Sequence, residues 1–331
     1  MAHASSVVSS LAYIAPIIHD HAMNFVQQIS ANLMLPTLRL MVRLTGQDRM
    51  IRQMAKNMNA IETKRRAFKG YTAQSSDVFI ATTSKSGTNW AMQIAHQIAH
   101  YGAGEFDNIY DVVAWPEPPP PMSSIALTDQ SIAERSPTGL RVIKTHLEAE
   151  FVPYSPAAKY IVVLRDPKEV FVSGYYFGHE IIEPAGMRFT VEQWLDLFCS
   201  DGCIFGSWAA HTAGWWAKRD LDNVLLLNYG GMKRDSEPAI RQIAALMGVE
   251  LSEKQFANVM ERSGFAYMRA NKDKFSPMLP GGIRPTTVRS GKTGKSAELL
   301  TPAQMERIEK WVSAELQHLN SNFPIDTYFT V

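Results

Sequence analysis

The residues best equipped for chemistry crowd into one short run, Thr82-Thr83-Ser84-Lys85-Ser86-Gly87-Thr88-Asn89-Trp90. It follows an apolar stretch and leads into an amphipathic one, so it reads as the turn between a strand and a helix. Backbone N–H groups of such a turn form a cradle for an anion, and the dipole of the following helix adds partial positive charge. Lys85 supplies a full charge, Gly87 lets the backbone approach the anion's oxygens, and Ser86, Thr88 and Asn89 offer further donors. The run lacks the GxxxxGK[ST] pattern, which disfavours an ATP-using kinase. Taken alone, an ordinary polar turn would have the same composition.

A second anchor stands in KYIVVLRDPKEVFVSGYYF, residues 159–177. Arg165 ends an apolar run, Pro167 opens a helix, and Ser173 lies about two turns in. An arginine at the carboxyl end of a parallel strand points to the crevice where open α/β sheets bind ligands. Its planar fork suits two-pronged contact with phosphate. The coincidence of both anchors weakens the reading of either as a surface turn. No metal is expected. Acidic residues show no metal-ligand spacing, and Cys199 and Cys203 form neither a CxxC nor a disulfide framework.

These groups need elements to hold them. Asp77–Thr82, Leu140–Lys144, Lys159–Leu164 and Asn223–Asn228 are short runs rich in β-branched and aliphatic residues, hence buried strands. Trp90, Ala91, Ile94, Ala95 and Ile98 recur at helical spacing. Thr190, Ser252 and Thr301 each precede a Gln by three residues, the reciprocal capping pattern, and Pro302 takes a first helical position. Ser236 and Gly248 bracket a further helix. The alternation predicts an α/β fold with a central parallel sheet flanked by helices on both faces. Ala114–Met122 is too rich in proline for regular structure, and residues 276–295 read as a mobile loop.

The chain has 331 residues, 46% hydrophobic and 20% charged, enough for a large core, and a net charge of +1 argues against a nucleic-acid partner held by bulk charge. That sum conceals a division. Residues 1–70 hold nine Lys or Arg against three acids, 9 − 3 = +6, and seven of the sixteen methionines. The remaining residues carry 24 − 29 = −5. The expected organisation is a helical, basic, Met-rich extension over residues 1–70 and a main domain over 71–331. Met50, Ile51, Met54, Met58 and Ile61 recur at helical spacing among Arg49, Arg52 and Lys56. Such a helix either packs on the main domain or rests on an anionic membrane as a peripheral contact. The apolar run from Val7 to Ile18 is a poor secretory signal, and two unpaired cysteines fit a reducing, cytoplasmic compartment.

Six segments, in order, resemble the cytosolic-type sulfotransferases, which use 3′-phosphoadenosine 5′-phosphosulfate (PAPS). SKSGTNW resembles their phosphosulfate loop, and YIVVLRDPKEVFVSGYYF their 3′-phosphate segment. VIKTHLEAEFVP (residues 142–153) is similar to the KTHLP segment, and GSWAAHTAGWW (206–216) to GSWxxHxxxWW. LLLNYGGMKRD resembles the YEDMK region, and VRSGKTGKSAELLTPAQMERI the RKGxxGDWKxxFTxxQxxxF region. Together these cover about three quarters of the chain, from about residue 75 to about 320.

The resemblance implies an α/β fold with a P-loop-like phosphosulfate-binding loop and transfer of a sulfuryl group to a hydroxyl or amine, with PAPS as co-substrate, its 3′,5′-bisphosphate (PAP) as product, and no metal. It implies that Lys85, Ser86, Gly87, Thr88 and Asn89 hold the 5′-phosphosulfate, and that Arg165 and Ser173 hold the 3′-phosphate. Arg289, Ser290 and Gly291 would close over that phosphate. Trp90 and Phe265 would sandwich the adenine, with Ser263 and Tyr229 near its edge. His146, in the KTH triplet, would be the general base, with Lys85 and Lys144 stabilising charge on the leaving phosphate. Ser290 replaces the usual Lys, Lys295-Ser296-Ala297 stands where GDWK is expected, and Gly230-Gly231 replaces an acidic pair, which puts the 3′-phosphate clamp most in question. Phe151, Tyr154, Phe177, Phe205 and the segment from Trp115 to Met122 are candidates to line a pocket for a small, lipophilic acceptor. Two other functions compete. One is a P-loop-like nucleotide phosphotransferase, the other a non-catalytic PAP-binding or membrane-docking protein.

Overall fold

The structure is a computed structural model and describes residues 35–117, 124–200, 203–279, 283–288 and 296–330. The expectations placed on Arg289, Ser290, Gly291, Lys295, the Val7–Ile18 run and most of the proline stretch lie outside these residues.

Five strands form one parallel sheet: β1 (Asp77–Thr82), β2 (Val113–Ala114), β3 (Arg141–Thr145), β4 (Lys159–Leu164) and β5 (Val224–Asn228), in the order β2-β3-β1-β4-β5. β1 is central, with Ala81 level with Thr145 of β3 and with Val162 of β4. The loops leaving β1, β3 and β4 therefore emerge side by side at one end, the position for a ligand crevice. The two residues of β2 are too short to leave a periodic signal, which is why the sequence suggests four strands.

The helices used below are α1 (Gln47–Asn59), α2 (Ile61–Ala67), α3 (Thr88–Ala99), α4 (Pro167–Ile182), α5 (Val191–Phe198), α6 (Trp208–Trp216), α7 (Tyr229–Arg234), α8 (Glu237–Met247), α9 (Glu253–Ser263), α10 (Phe265–Ala270) and α11 (Pro302–His318). Strand side chains alternate between two cores. Val78, Ile80, Ile161 and Val163 pack under α3, α8 and α9. Phe79, Ala81, Tyr160 and Val162 face Phe171, Trp194, Trp208, Trp215 and Ile308. All three predicted capping boxes form, at Thr190, Ser252 and Thr301. The Ser236 side chain accepts no capping hydrogen bond. The Asp235 carboxylate accepts from the Glu237 N–H instead, because Ser236 has already turned helical.

At the amino ends of β1 and β3, Arg141 and Asp77 form a buried ion pair at 2.9 Å. Arg141 also donates to the carbonyls of Leu127 and Asp129 and to the Tyr71 hydroxyl. A buried guanidinium is tolerable when its donors are satisfied in this way. The segment before β1 is docked on the same body, with Ile51 and Phe68 inside the aromatic-rich core. The apolar spacing from Met50 to Ile61 does not form one continuous stripe. Ala60 turns extended (φ −59°, ψ 132°), so Ile61 begins α2.

Candidate active site

The loop after β1 is braced from within. The Thr82 and Thr88 hydroxyls pair at 2.6 Å, those of Thr83 and Ser86 at 2.5 Å, and the Asn89 amide donates to the Phe275 carbonyl at 2.6 Å. The side chains thus hold the loop's shape, and the backbone is left to meet a ligand. α3 starts at Thr88 with no side-chain cap, so its first-turn N–H groups converge on the loop mouth. Gly87 has φ 90°, and a Cβ there would lie 2.8 Å from the Tyr229 ring. Glycine is needed both for the left-handed backbone and for this approach. Lys85 shares the positive φ, at 70°, and its ammonium sits 3.5 Å from the Phe177 ring centroid.

Arg165, at the carboxyl end of β4, reaches this loop. It donates to the Lys85 carbonyl at 2.8 Å, pairs with Glu169 at 3.2 Å and lies 4.5 Å from the Tyr229 ring. Tyr229 meets Trp90 edge-on at 6.0 Å. Arg165 Nε and Trp90 Nε1 are buried and have no hydrogen-bond partner among the described residues. Buried polar atoms are nearly always satisfied, so two orphaned donors beside an anion cradle fit a ligand rich in acceptors. Ser173 lies farther along α4, half-buried.

His146 follows β3 directly. Its Nδ1–H donates to the Thr82 carbonyl at 2.8 Å. A carbonyl oxygen only accepts, so the proton is on Nδ1 and Nε2 carries the free lone pair. The ring stands perpendicular to Trp115 at 5.8 Å. Burial holds His146 well below the ordinary histidine range, the charges of Lys144 and Lys85 add to that, and the Thr82 contact opposes it. Lys144, two residues earlier, donates to the Tyr110 hydroxyl at 2.9 Å and lies 3.3 Å from the Trp115 ring centroid. Burial lowers its pKa to about 7, with Glu117 opposing and Lys85 reinforcing the fall.

The structure brings Lys85, Gly87, Trp90, Lys144, His146, Arg165 and Tyr229 to the carboxyl ends of β1, β3 and β4. Others stand apart. The Ser263 hydroxyl donates back to Val259 O at 2.6 Å within α9, and Phe265 is 44% exposed at the start of α10. Tyr229 stands edge-on to Trp90. Of the candidate lining residues, Phe177 and Phe205 pack together beside Lys85, whereas Tyr154 stacks on Tyr160 near Asn223, at the amino ends of the strands. Tyr110 and Glu117 were not anticipated. Glu117 was masked by its proline-rich setting, and a lone acid in an apolar stretch was the available signal. Among the described residues no group of three His, Cys, Asp or Glu is placed to hold a metal ion.

An anion cradle, two ammonium groups and an unprotonated imidazole suit the transfer of an anionic group from a phosphate-bearing donor to a hydroxyl. Comparison with known proteins agrees. Residues 75–320 match the sulfotransferase domain family. Sulfotransferase 2A1 of Macaca fascicularis is 30% identical over 78% of this chain and 90% of its own length. A 3-beta-hydroxysteroid sulfotransferase of Cavia porcellus is 28% identical over 72% and 83%. Among solved structures, retinol dehydratase in complex with androsterone and PAP matches with a TM-score of 0.63 and 20% identity, over 80% of this chain and 87% of that one. A mouse sulfotransferase complexed with PAP also matches at 0.63, with 22% identity over 83% and 96%.

Proposed function

The chain belongs to the PAPS-dependent sulfotransferase family, and from that premise we propose that it transfers a sulfuryl group from PAPS to the hydroxyl of a small, apolar alcohol, phenol or sterol, with His146 as general base. PAPS brings the sulfuryl group on a phosphate that departs as PAP. The acceptor oxygen bonds to sulfur, and its proton passes to His146 Nε2. The bond from sulfur to the bridging oxygen breaks, and that oxygen keeps the electron pair. Lys85 and Lys144 face the charge that develops there. The first-turn N–H groups of α3 and the Gly87 backbone hold the 5′ end of the donor, and Arg165 with Ser173 its 3′-phosphate. Ser86, Thr88 and Asn89 support that loop. Trp90 and Phe265 sandwich the adenine, with Ser263 and Tyr229 near its edge.

The observation that carries this reading is the His146 contact to the Thr82 carbonyl, which joins the base to the anion loop and fixes its tautomer. The orphaned Trp90 and Arg165 donors support the nucleotide. The steroid named for one relative, and Phe177 and Phe205 beside Lys85, support an apolar acceptor. The division at residue 70, the cytoplasmic location and a peripheral membrane contact through residues 1–70 belong to the same proposal. The last is supported by Leu40, Met41, Leu44, Met54, Met58 and Ile61, which are exposed among basic residues.

A panel of phenols, sterols and lipid alcohols with radiolabelled PAPS tests the activity. Labelled product is expected with at least one apolar hydroxyl. PAP should raise the melting temperature while ATP with magnesium leaves it unchanged. The reverse preference would favour a phosphotransferase, and PAP stabilisation without any product a binding protein.

A further inference from the structure

Glu117 lies just past β2, yet its carboxylate is built into the turn that carries His146. Oε1 accepts from the Thr145 hydroxyl and, at 2.8 Å, from the His146 backbone N–H. Oε2 accepts from Trp115 Nε1 at 3.3 Å. The Thr145 hydroxyl itself accepts the Leu147 N–H at 3.1 Å, so its own proton points to Glu117. Burial pushes the Glu117 pKa up, and the Thr145, His146 and Trp115 donors together with the Lys144 charge oppose that rise; three donors facing one carboxylate suit its acceptor-only form. The Trp115 ring that Glu117 holds covers the Lys144 ammonium and stands perpendicular to the His146 ring.

We propose that Glu117 is a positioning residue for transfer, fixing the Thr145–His146 turn and keeping Lys144 cationic beside the leaving phosphate. The proposal rests on the roles given above to Lys144 and His146. Its geometric basis is that one side chain ties the exit of β2 to the exit of β3, so the base and the cation cannot shift independently. Its electrostatic basis is the set of groups facing Lys144. Tyr110 offers a neutral hydroxyl, Lys85 a repelling charge and His146 a neutral ring, which leaves Glu117 as the anion acting on it. Burial favours the neutral amine and the carboxylate favours the ammonium. Without the carboxylate, Lys144 loses its proton at a lower pH, and a neutral amine stabilises a departing phosphate poorly.

The test measures PAP affinity by calorimetry and kcat with a fixed acceptor, between about pH 6 and about pH 9, for wild type and Glu117→Gln. In wild type, PAP binding should weaken as pH rises through about 7, where Lys144 deprotonates. In Glu117→Gln that weakening should begin about one pH unit lower, with kcat at neutral pH reduced about tenfold and partly recovered in mild acid. A folded Glu117→Gln protein with the wild-type pH dependence of PAP affinity overturns the proposal. If that variant does not fold, Thr145→Val, which keeps the carboxylate and removes one donor, should lower kcat without moving the pH profile. An unchanged kcat there overturns the clamp. Wild type that binds no PAP at any pH refutes the donor assignment rather than the role of Glu117.

Discussion

His146 donates from Nδ1 to a backbone carbonyl and keeps Nε2 as a lone pair, and burial keeps the ring neutral. Both features serve a base that must be empty before it receives the acceptor's proton. His146→Ala should lower kcat by about 10² to 10⁴ while PAP affinity stays near wild type, because the anion loop is braced without the imidazole. A wild-type rate in that variant would remove His146 from the mechanism. The pH sign follows from the depressed pKa: His146 stays unprotonated through pH 6.5, so kcat/KM should have no acid limb near the ordinary histidine value. The alkaline side should instead follow Lys144 near pH 7.

At the scale of elements, α1 is divided along its length. Ile51 and Ala55 are buried against the body, while Met54 and Met58 remain exposed next to Arg52 and Lys56. Leu40, Met41 and Leu44, in the helical turns just before, are exposed as well, Leu44 at 76%. Apolar side chains bordered by cations match an anionic interface, whose affinity grows with apolar area inserted and with charge attraction. The protein should co-float with vesicles containing anionic lipid at low salt and less with purely zwitterionic ones. Met54→Asp with Met58→Asp should weaken that binding without changing the melting temperature by more than about a degree, since neither side chain is buried. Equal flotation of variant and wild type would leave these helices with no membrane role.

For the whole molecule, His96 and His211, outside the proposed chemistry, join His146 in lowering stability in acid. His96 and His211 each have the pKa lowered to about 3 by burial, with the charge of His100 assisting at His96 and that of Lys64 at His211. Below about pH 6.5 the unfolded chain binds protons that the folded one refuses. Stability is therefore complete above that pH and declines as pH falls toward about 3, by about 1.4 kcal/mol per pH unit for each group. Urea midpoints at several pH values should show this slope, and His211→Phe should flatten it. An unaltered slope would mean that His211 is not the group being titrated.

The anchors of the site were legible in the sequence because local pattern determines them. A strand ending in small and polar residues before an amphipathic helix has few other conformations, which is how Thr82–Trp90, Arg165 and the three capping boxes could be read from types and spacing. What the tertiary structure decided was partnership between segments distant in the chain. Tyr229 meets Trp90 edge-on because α7 follows β5, which pairs beside β4 in the same sheet. Glu117 reaches Thr145 and His146 because β2 pairs beside β3, a register that a two-residue strand cannot announce. Which lysine is buried enough to titrate near pH 7 is likewise a matter of packing. Types and spacing set the local backbone, but solvent exclusion and opposed charges arise only once the sheet has brought its loops together.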